Sequence, residues 1–392
     1  MKNRTITRKG FFLGLGILFI ATILRAPITS VAPLIGTISS DLGLNSAAAG
    51  MISTTPLLAF ALCSILAPIS ERKIGIEKVL FLSLIGLSIG IFLRSFSGSF
   101  FLYFGTILIG ISIAHCNVLI PGLIKRDFPE KVGLITGIYS VTMNVCGALA
   151  SGISLPLATK LHLGWQGSLR VWLVLSMLAL VFWLPQVRST TKMDLSVSTP
   201  KQKSLIKSSL AWKISLFMGI QSLIFYTLIA WMPQLFLQKN IDGELTGWLL
   251  TLLQLFLVPA TFLVSIIAGR LAEQTILVWL GAGTIFIGLL GIMLTTSLPI
   301  IVISVILLGI GGGCCFSLSM MFFSLRSKNS AEASQISGMA QSVGYLLAAS
   351  GPLLFGLLHD LSHSWISSLL VLLALSVVLL YVGLGASKKV YL

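Results

Sequence analysis

Residues 11–36 read FFLGLGILFIATILRAPITSVAPLIG, an apolar run in which Arg25 is the only charged side chain. A helix needs about 20 mainly apolar residues to cross the hydrocarbon layer of a bilayer. Eleven further runs of similar length follow: 46–70, 77–95, 99–124, 132–158, 166–187, 209–237, 246–270, 275–297, 299–325, 332–358 and 364–386. The pattern predicts an all-α membrane protein with twelve transmembrane helices.

The composition of the chain excludes the soluble classes of protein. Of the 392 residues, 56% are apolar and only 9% are charged, too few to cover a soluble protein of this size. The net charge is +15, but the basic residues lie between the apolar runs, so we expect no nucleic-acid partner. The five cysteines lie inside the runs and show neither metal-site spacing nor a disulfide framework. We expect no metal and no cofactor.

One connection between the runs is long, polar and basic, and it divides them six and six. It predicts a linker at 188–208 between two six-helix bundles at 1–187 and 209–392. Equivalent short connections in the two halves also resemble each other, since the second-to-third and eighth-to-ninth connections each carry arginine and glutamate at a tight turn. Repeated halves around a central site are how alternating-access carriers are built.

The distribution of lysine and arginine predicts the orientation in the membrane. Of the 26 basic residues, 21 lie on the side of the N-terminus, four lie on the other side, and Arg25 lies within a span. Cytoplasmic connections carry the excess of lysine and arginine. We therefore expect a multi-pass protein of the cytoplasmic membrane with both termini and the linker in the cytoplasm.

Four longer strings carry a family resemblance: LRAPITSVAPLI (24–35), NVLIPGLIKRDFPEKVGLITGIYSVTMN (117–144), GIQSLIFYTLIAWMPQL (219–235) and SGMAQSVGYLLAASGPLLFGLLHD (337–360). They resemble the cyanate and 2-nitroimidazole transporter branch of the major facilitator superfamily. The resemblance spans all twelve predicted helices. It implies the major facilitator fold, with a central cavity lined mainly by the first, fourth, seventh and tenth helices. It leaves the solute open, because members of the branch carry chemically different small molecules.

Arg25 is the most informative single residue. It lies about 20 Å into the first helix at 1.5 Å per residue, where a charge is expensive and by default functional. All eleven acidic residues lie in connections or at helix ends, so no membrane carboxylate accompanies it. A guanidinium recognises flat anions through paired donors. Arg25 therefore predicts a site for a small anionic or strongly electronegative solute; the alternative is a structural arginine bonded to backbone carbonyls.

Neutral polar and aromatic side chains at mid-helix depth complete the predicted substrate site. Those that stand in the four family strings are Asn117, Tyr139, Asn144, Gln221, Tyr226, Trp231, Gln341 and Tyr345. Each could instead make an ordinary interhelical hydrogen bond. His115 departs from the branch, which more often has an apolar residue there, and is either a packed neutral histidine or a coupling residue for protons. The glycines around Gly311 either pack or allow bending.

The predicted function is secondary or facilitative transport of a cyanate-like or nitro-heterocycle-like solute by alternating access, by a monomer. An enzyme is not expected, because the spans hold no paired acids, no metal-binding HExxH and no nucleophilic site. The main alternative is a drug/proton efflux antiporter. Such antiporters typically carry a glycine-proline motif on the fifth helix, and here Gly351-Pro352 lies on the eleventh instead.

Overall fold

The computed structural model describes residues 8–188 and 205–391, and these residues are almost entirely helical. The helices are α1 (Arg8–Thr29), α2 (Ile35–Leu42), α3 (Ser46–Cys63), α4 (Leu66–Ile74), α5 (Ile76–Arg94), α6 (Ser99–Asp127), α7 (Val132–Thr159), α8 (Gly164–Arg170), α9 (Trp172–Arg188), α10 (Ser209–Gln238), α11 (Gly243–Arg270), α12 (Thr275–Leu294), α13 (Leu298–Leu325), α14 (Ser330–Ser362) and α15 (Trp365–Ser387). Short 3₁₀ turns lie at Ala32–Leu34, Pro129–Lys131 and Leu205–Lys207.

The count of membrane-spanning helices agrees with the sequence. Eleven spans in the described chain are long and apolar enough to cross a membrane, and the number is twelve if the bent pair α3 and α4 forms one span. The prediction of an all-α membrane protein is confirmed. Most of the predicted linker falls outside the described residues, which resume with the 3₁₀ turn at Leu205–Lys207.

Two of the predicted spans are broken rather than continuous, and each break lies four residues before a proline. The span 11–36 stops being α-helical after Thr29, and Pro33 follows four residues later. The span 46–70 bends by 56° between Cys63 and Leu66, where Ser64 stands four residues before Pro68. A proline has no N–H and its ring clashes with the carbonyl four residues earlier, which accounts for both positions.

The packing divides the described chain into two compact units. The first comprises Met1–Pro129 and Ile138–Lys201, and the second comprises Glu130–Gly137 and Gln202–Leu392. The first turns of α7 therefore belong to the second unit. Gly133 explains this, because a Cβ there would stand 3.2 Å from the Cα of Gly269 on α11. Small residues let membrane helices approach this closely.

Glycines set the closest helix contacts in the second unit. A Cβ added at Gly309 of α13 would stand 2.4 Å from the carbonyl oxygen of Leu253 on α11. One turn later, a Cβ at Gly313 would stand 2.3 Å from the carbonyl oxygen of Leu257. Gly311, on another side of α13, would meet α12 with the carbonyl oxygen of Gly281 at 2.7 Å. The glycine-rich stretch thus serves as a packing surface for two neighbouring helices.

In each unit, an arginine at the end of one helix forms a hydrogen bond to the start of a neighbouring helix. In the first, Nη2 of Arg126 donates to the carboxylate of Glu77, at the start of α5, over 2.7 Å. In the second, Arg326 donates through Nη2 to the side-chain oxygen of Gln274, just before α12, and through Nε to the carbonyl of Ala386 over 2.8 Å. Burial lowers the pKa of Arg326 from its ordinary value. The two units repeat one arrangement with a charged acceptor in the first and a neutral acceptor in the second.

Candidate functional site

The polar side chains of the first unit centre on Arg25 and Asn144. A guanidinium nitrogen of Arg25, on α1, donates to the side-chain oxygen of Asn144, on α7. Nδ2 of Asn144 donates in turn to the carbonyl of Ser140 over 2.9 Å, one turn back on its own helix. That bond fixes the orientation of the amide, so its oxygen faces the guanidinium. Asn144 is neutral, so this contact is a hydrogen bond to a charged donor and not an ion pair.

Gly147 allows α1 and α7 to approach at this point. A Cβ at position 147 would stand 3.1 Å from Cβ and 3.3 Å from Cδ of Arg25. The carbonyl of Gly147 also accepts a hydrogen bond of 2.7 Å from the hydroxyl of Thr29. Arg25 and Thr29 lie one helical turn apart and both contact α7, so this face of α1 is fixed at two points. Arg25 itself remains partly exposed.

Tyr139 and Asn117 form a second, fully enclosed pair in the first unit. The hydroxyl of Tyr139 on α7 donates to the side-chain oxygen of Asn117 on α6 over 2.9 Å. Tyr139 is 2% exposed and Asn117 is 8% exposed. This buried hydrogen bond joins α6 to α7.

His115 is tied to its own helix. Its Nδ1 lies 2.9 Å from the carbonyl oxygen of Ile111, one turn earlier on α6. A carbonyl only accepts, so Nδ1 carries a proton and Nε2 is the acceptor in the neutral ring. The side chain is partly exposed, whereas Asn117 two residues later is buried. The two side chains therefore differ in environment, as their spacing of about 200° on a helix requires.

In the second unit, two glutamines lie on neighbouring helices that pack closely. Gln341 on α14 is fully buried, and its Nε2 donates to the hydroxyl of Ser337 over 2.9 Å. Gln221 on α10 is 4% exposed and donates to Ser222 over 2.7 Å. A Cβ at Gly219 would stand 3.2 Å from the Cα of Gly344, so α10 and α14 approach closely between these side chains.

The predicted aromatic residues of the second unit fall into two places. Tyr345 follows Gln341 by one turn and is buried, and Tyr226 is half-buried with its ring edge-on to Phe225 at 5.5 Å. Trp231 lies about 15 Å further along α10 than Gln221 at 1.5 Å per residue. Its Nε1 donates to the carbonyl of Pro352 over 2.8 Å, and its ring packs on Phe355 and Trp365 at 6.5 and 5.4 Å. Trp231 thus belongs to an aromatic cluster apart from the glutamines.

Arg94 is a buried charge that the sequence did not predict. The sequence counts Arg94, near the end of the third predicted span (77–95), among the four basic residues of the non-cytoplasmic side, yet its side chain is 1% exposed, and Nη1 donates to the carbonyl of Pro27 over 2.7 Å. It stands at the end of an unbroken apolar run, which was the available signal. Among the described residues, no group of three His, Cys, Asp or Glu side chains could hold a metal ion.

The described chain has eleven apolar spans, or twelve if α3 and α4 form one, with polar side chains buried among them, as is typical of a multi-pass membrane carrier. Residues 15–352 match the model of the Major Facilitator Superfamily, and the chain belongs to this family. It is 41% identical over 384 residues to the uncharacterized transporter YycB of Bacillus subtilis (strain 168), covering 98% of this chain and 95% of that one. It is 40% identical over 375 residues to the 2-nitroimidazole transporter of Escherichia coli (strain K12), covering 95% and 94%.

More distant proteins share the same plan. The cyanate transport protein CynX of Escherichia coli (strain K12) is 23% identical over 346 residues, covering 88% of each chain. Among solved structures, the transporter FucP in its outward conformation aligns with a TM-score of 0.75 at 11% identity, covering 96% of this chain and 99% of that one. That likeness concerns the fold alone. The chain is a transporter with the major facilitator fold, as the sequence predicted.

Proposed function

We propose that the chain carries a small anionic or strongly electronegative solute across the cytoplasmic membrane by alternating access, and that Arg25 binds it. The single observation that carries the proposal is the contact of Arg25 with Asn144. Arg25 lies within the first span, is partly exposed, and donates to the neutral amide of Asn144. A planar guanidinium presents paired N–H donors that match a flat anion or a nitro group.

The named relatives support this choice of solute. The 2-nitroimidazole transporter and the cyanate transport protein are both named for small, flat, electronegative compounds. A nitro group and a cyanate ion each offer acceptors that a guanidinium can engage. Neither name identifies the solute of this chain, and the proposal is restricted to the shared chemistry.

Other polar residues supply weaker contacts in this proposal. Asn117, Tyr139 and Asn144 serve in the first unit, and Gln221, Tyr226, Gln341 and Tyr345 serve in the second. Trp231 serves through the aromatic cluster that it forms with Phe355 and Trp365. The protein acts as a monomer, without catalysis and with both termini in the cytoplasm. The excess of basic residues on that side supports this orientation.

Binding to the purified protein tests the proposal directly. A ligand that binds the native state raises the apparent melting temperature. We expect cyanate, nitrate and 2-nitroimidazole to stabilise the protein, and tetraethylammonium to leave it unchanged. Counterflow of labelled 2-nitroimidazole in proteoliposomes then tests alternating access. Stabilisation by organic cations alone, together with export driven by an inward proton gradient, would favour the drug/proton antiporter instead.

A further inference from the structure

Arg94 is a buried cation that the proposed solute site does not use. It is the last residue of α5, and its side chain is 1% exposed. Gly105 on α6 makes the approach possible, since a Cβ there would stand 2.5 Å from the backbone nitrogen of Arg94 and 2.8 Å from its Cβ. The last turn of α5 therefore lies against the backbone of α6, with its arginine directed inward.

The guanidinium of Arg94 contacts a backbone carbonyl instead of an acid. Nη1 donates to the carbonyl of Pro27 over 2.7 Å, and none of the ion pairs among the described residues includes Arg94. Its Nε and Nη2 are buried and have no hydrogen-bond partner in the described chain. Burying a charge without a paired acid is unfavourable for folding. A purely structural role could be filled by a neutral donor at lower cost.

The carbonyl of Pro27 is open to this contact because α1 ends there. A helix leaves its last four carbonyls without intrahelical donors. The amide of Val31 donates to the carbonyl of Ile28 over 3.4 Å and not to that of Pro27. Besides the arginine, the carbonyl of Pro27 accepts a long bond of 3.3 Å from the hydroxyl of Ser30. A cation near a helix C-terminus also interacts favourably with the helix dipole. Arg94 thus caps α1 from a different helix.

The capped segment is the one that carries the proposed solute-binding residue. Arg25 precedes Pro27 by two residues and Thr29 follows it by two, and both side chains contact α7. We propose that Arg94 is a positioning residue, which holds the end of α1 so that the Arg25 guanidinium meets the solute in a fixed geometry. This inference rests on the proposed solute site at Arg25.

Three variants separate positioning from folding. Arg94→Met removes the charge and the donor, whereas Arg94→Lys keeps both. Arg170→Met is the control, because Arg170 also donates to a backbone carbonyl, that of Ser95 over 3.0 Å, but makes no hydrogen bond to α1 within the described residues. We expect Arg94→Met to raise the dissociation constant of 2-nitroimidazole on the order of tenfold, as for one lost charge-assisted hydrogen bond. Arg94→Lys should restore binding to within about threefold, and Arg170→Met should leave it unchanged.

A second measurement needs no solute. Amide hydrogen exchange in peptides covering 26–34 should be faster in Arg94→Met than in the unchanged protein, and normal in Arg170→Met, because local opening governs exchange. If Arg94→Met does not accumulate, Arg94→Ala, which also removes the charge and the donor, takes its place. Unchanged exchange at the end of α1 would overturn the inference, as would faster exchange with unchanged binding. If the unchanged protein binds neither 2-nitroimidazole nor cyanate, the proposed function fails separately, and exchange still decides whether Arg94 holds α1.

Discussion

At the scale of single residues, the environment of Arg25 determines what it can do. The sequence located one arginine in a span without a carboxylate, and the structure adds the amide that holds it. Because Nδ2 of Asn144 is bonded to the carbonyl of Ser140, the amide presents its oxygen to the arginine. The remaining question is how much of the binding energy comes from charge and how much from the planar shape of the guanidinium.

Two substitutions of Arg25 separate these contributions. Arg25→Gln removes the charge, and we expect the dissociation constant for 2-nitroimidazole or cyanate to rise by about 10- to 100-fold, as for a lost charged hydrogen bond. Arg25→Lys keeps the charge but loses the fork, so it should bind with intermediate strength. Isothermal titration of purified variants measures both. Normal binding by a folded Arg25→Gln protein would exclude Arg25 as the solute-binding residue.

His115 provides the prediction about coupling. No carboxylate lies in the middle of a predicted span, which leaves His115 as the candidate for carrying a proton. Its Nδ1 is occupied by the carbonyl of Ile111, which favours a packed histidine over a proton carrier. We expect His115→Asn to leave the pH profile of 2-nitroimidazole uptake unchanged between about pH 5.5 and 8.

Proteoliposomes with and without an imposed pH gradient measure this. Asn117→Ala is the comparison, because its loss should weaken binding by about 0.5–1.5 kcal/mol at every pH. Accumulation that is driven by the gradient in the unchanged protein and lost in His115→Asn would identify His115 as the coupling residue.

At the scale of helices, glycine spacing decides which helices pack and how closely. Gly309 and Gly313 lie one turn apart on α13, and both pack directly against the backbone of α11. Gly312, which lies between them in sequence, has space for a methyl group. A Cβ at Gly312 would lie 3.7 Å from Cδ1 of Leu257, an ordinary contact distance. The sequence left packing and bending as alternatives for this stretch, and the contacts favour packing.

This difference predicts opposite effects from the same substitution at neighbouring positions. Gly313→Ala should destabilise the protein by roughly 1–3 kcal/mol, because the added methyl overlaps the carbonyl of Leu257. Gly312→Ala should be neutral or stabilise by up to about 1 kcal/mol, because alanine loses less backbone freedom on folding than glycine. Unfolding in detergent, followed by scanning fluorimetry, ranks the two. Equal melting temperatures would contradict the packing role of Gly313.

The helix breaks and Arg94 show what the sequence could and could not supply. Pro33 and Pro68 lie four residues after the breaks, but eight other prolines lie inside continuous helices of the described chain, so a proline alone does not predict a break. A count of apolar residues does not predict the two helix breaks, because it takes no account of the backbone N–H that proline lacks. The burial of Arg94 could not be predicted, because its neighbours in sequence do not reveal Gly105, which allows the last turn of α5 to pack against α6. Burial of a helix end depends on the partner helix.

At the scale of the whole molecule, repetition is the main regularity. Arg126 with Glu77 in the first unit and Arg326 with Gln274 in the second occupy equivalent helix ends. In both pairs an arginine at the end of one helix donates to a side-chain oxygen at the start of another, although only the first pair is ionic. The two units therefore share the place of this hydrogen bond but not the charge of its acceptor. The family match over residues 15–352 places the whole arrangement among carriers. What repetition alone leaves open is which side of the membrane these ends face.

Accessibility of single cysteines tests the orientation. In a background in which the five native cysteines are replaced, Ser97→Cys and Asp242→Cys should react with an impermeant maleimide added to intact cells, because both positions lie on the side with few basic residues. Glu130→Cys, on the basic side, is the matched control and should react only after the membrane is permeabilised. All three positions are exposed, so burial does not explain a difference in labelling. The reverse pattern would invert the predicted topology and would place the 21 basic residues outside, against the positive-inside rule.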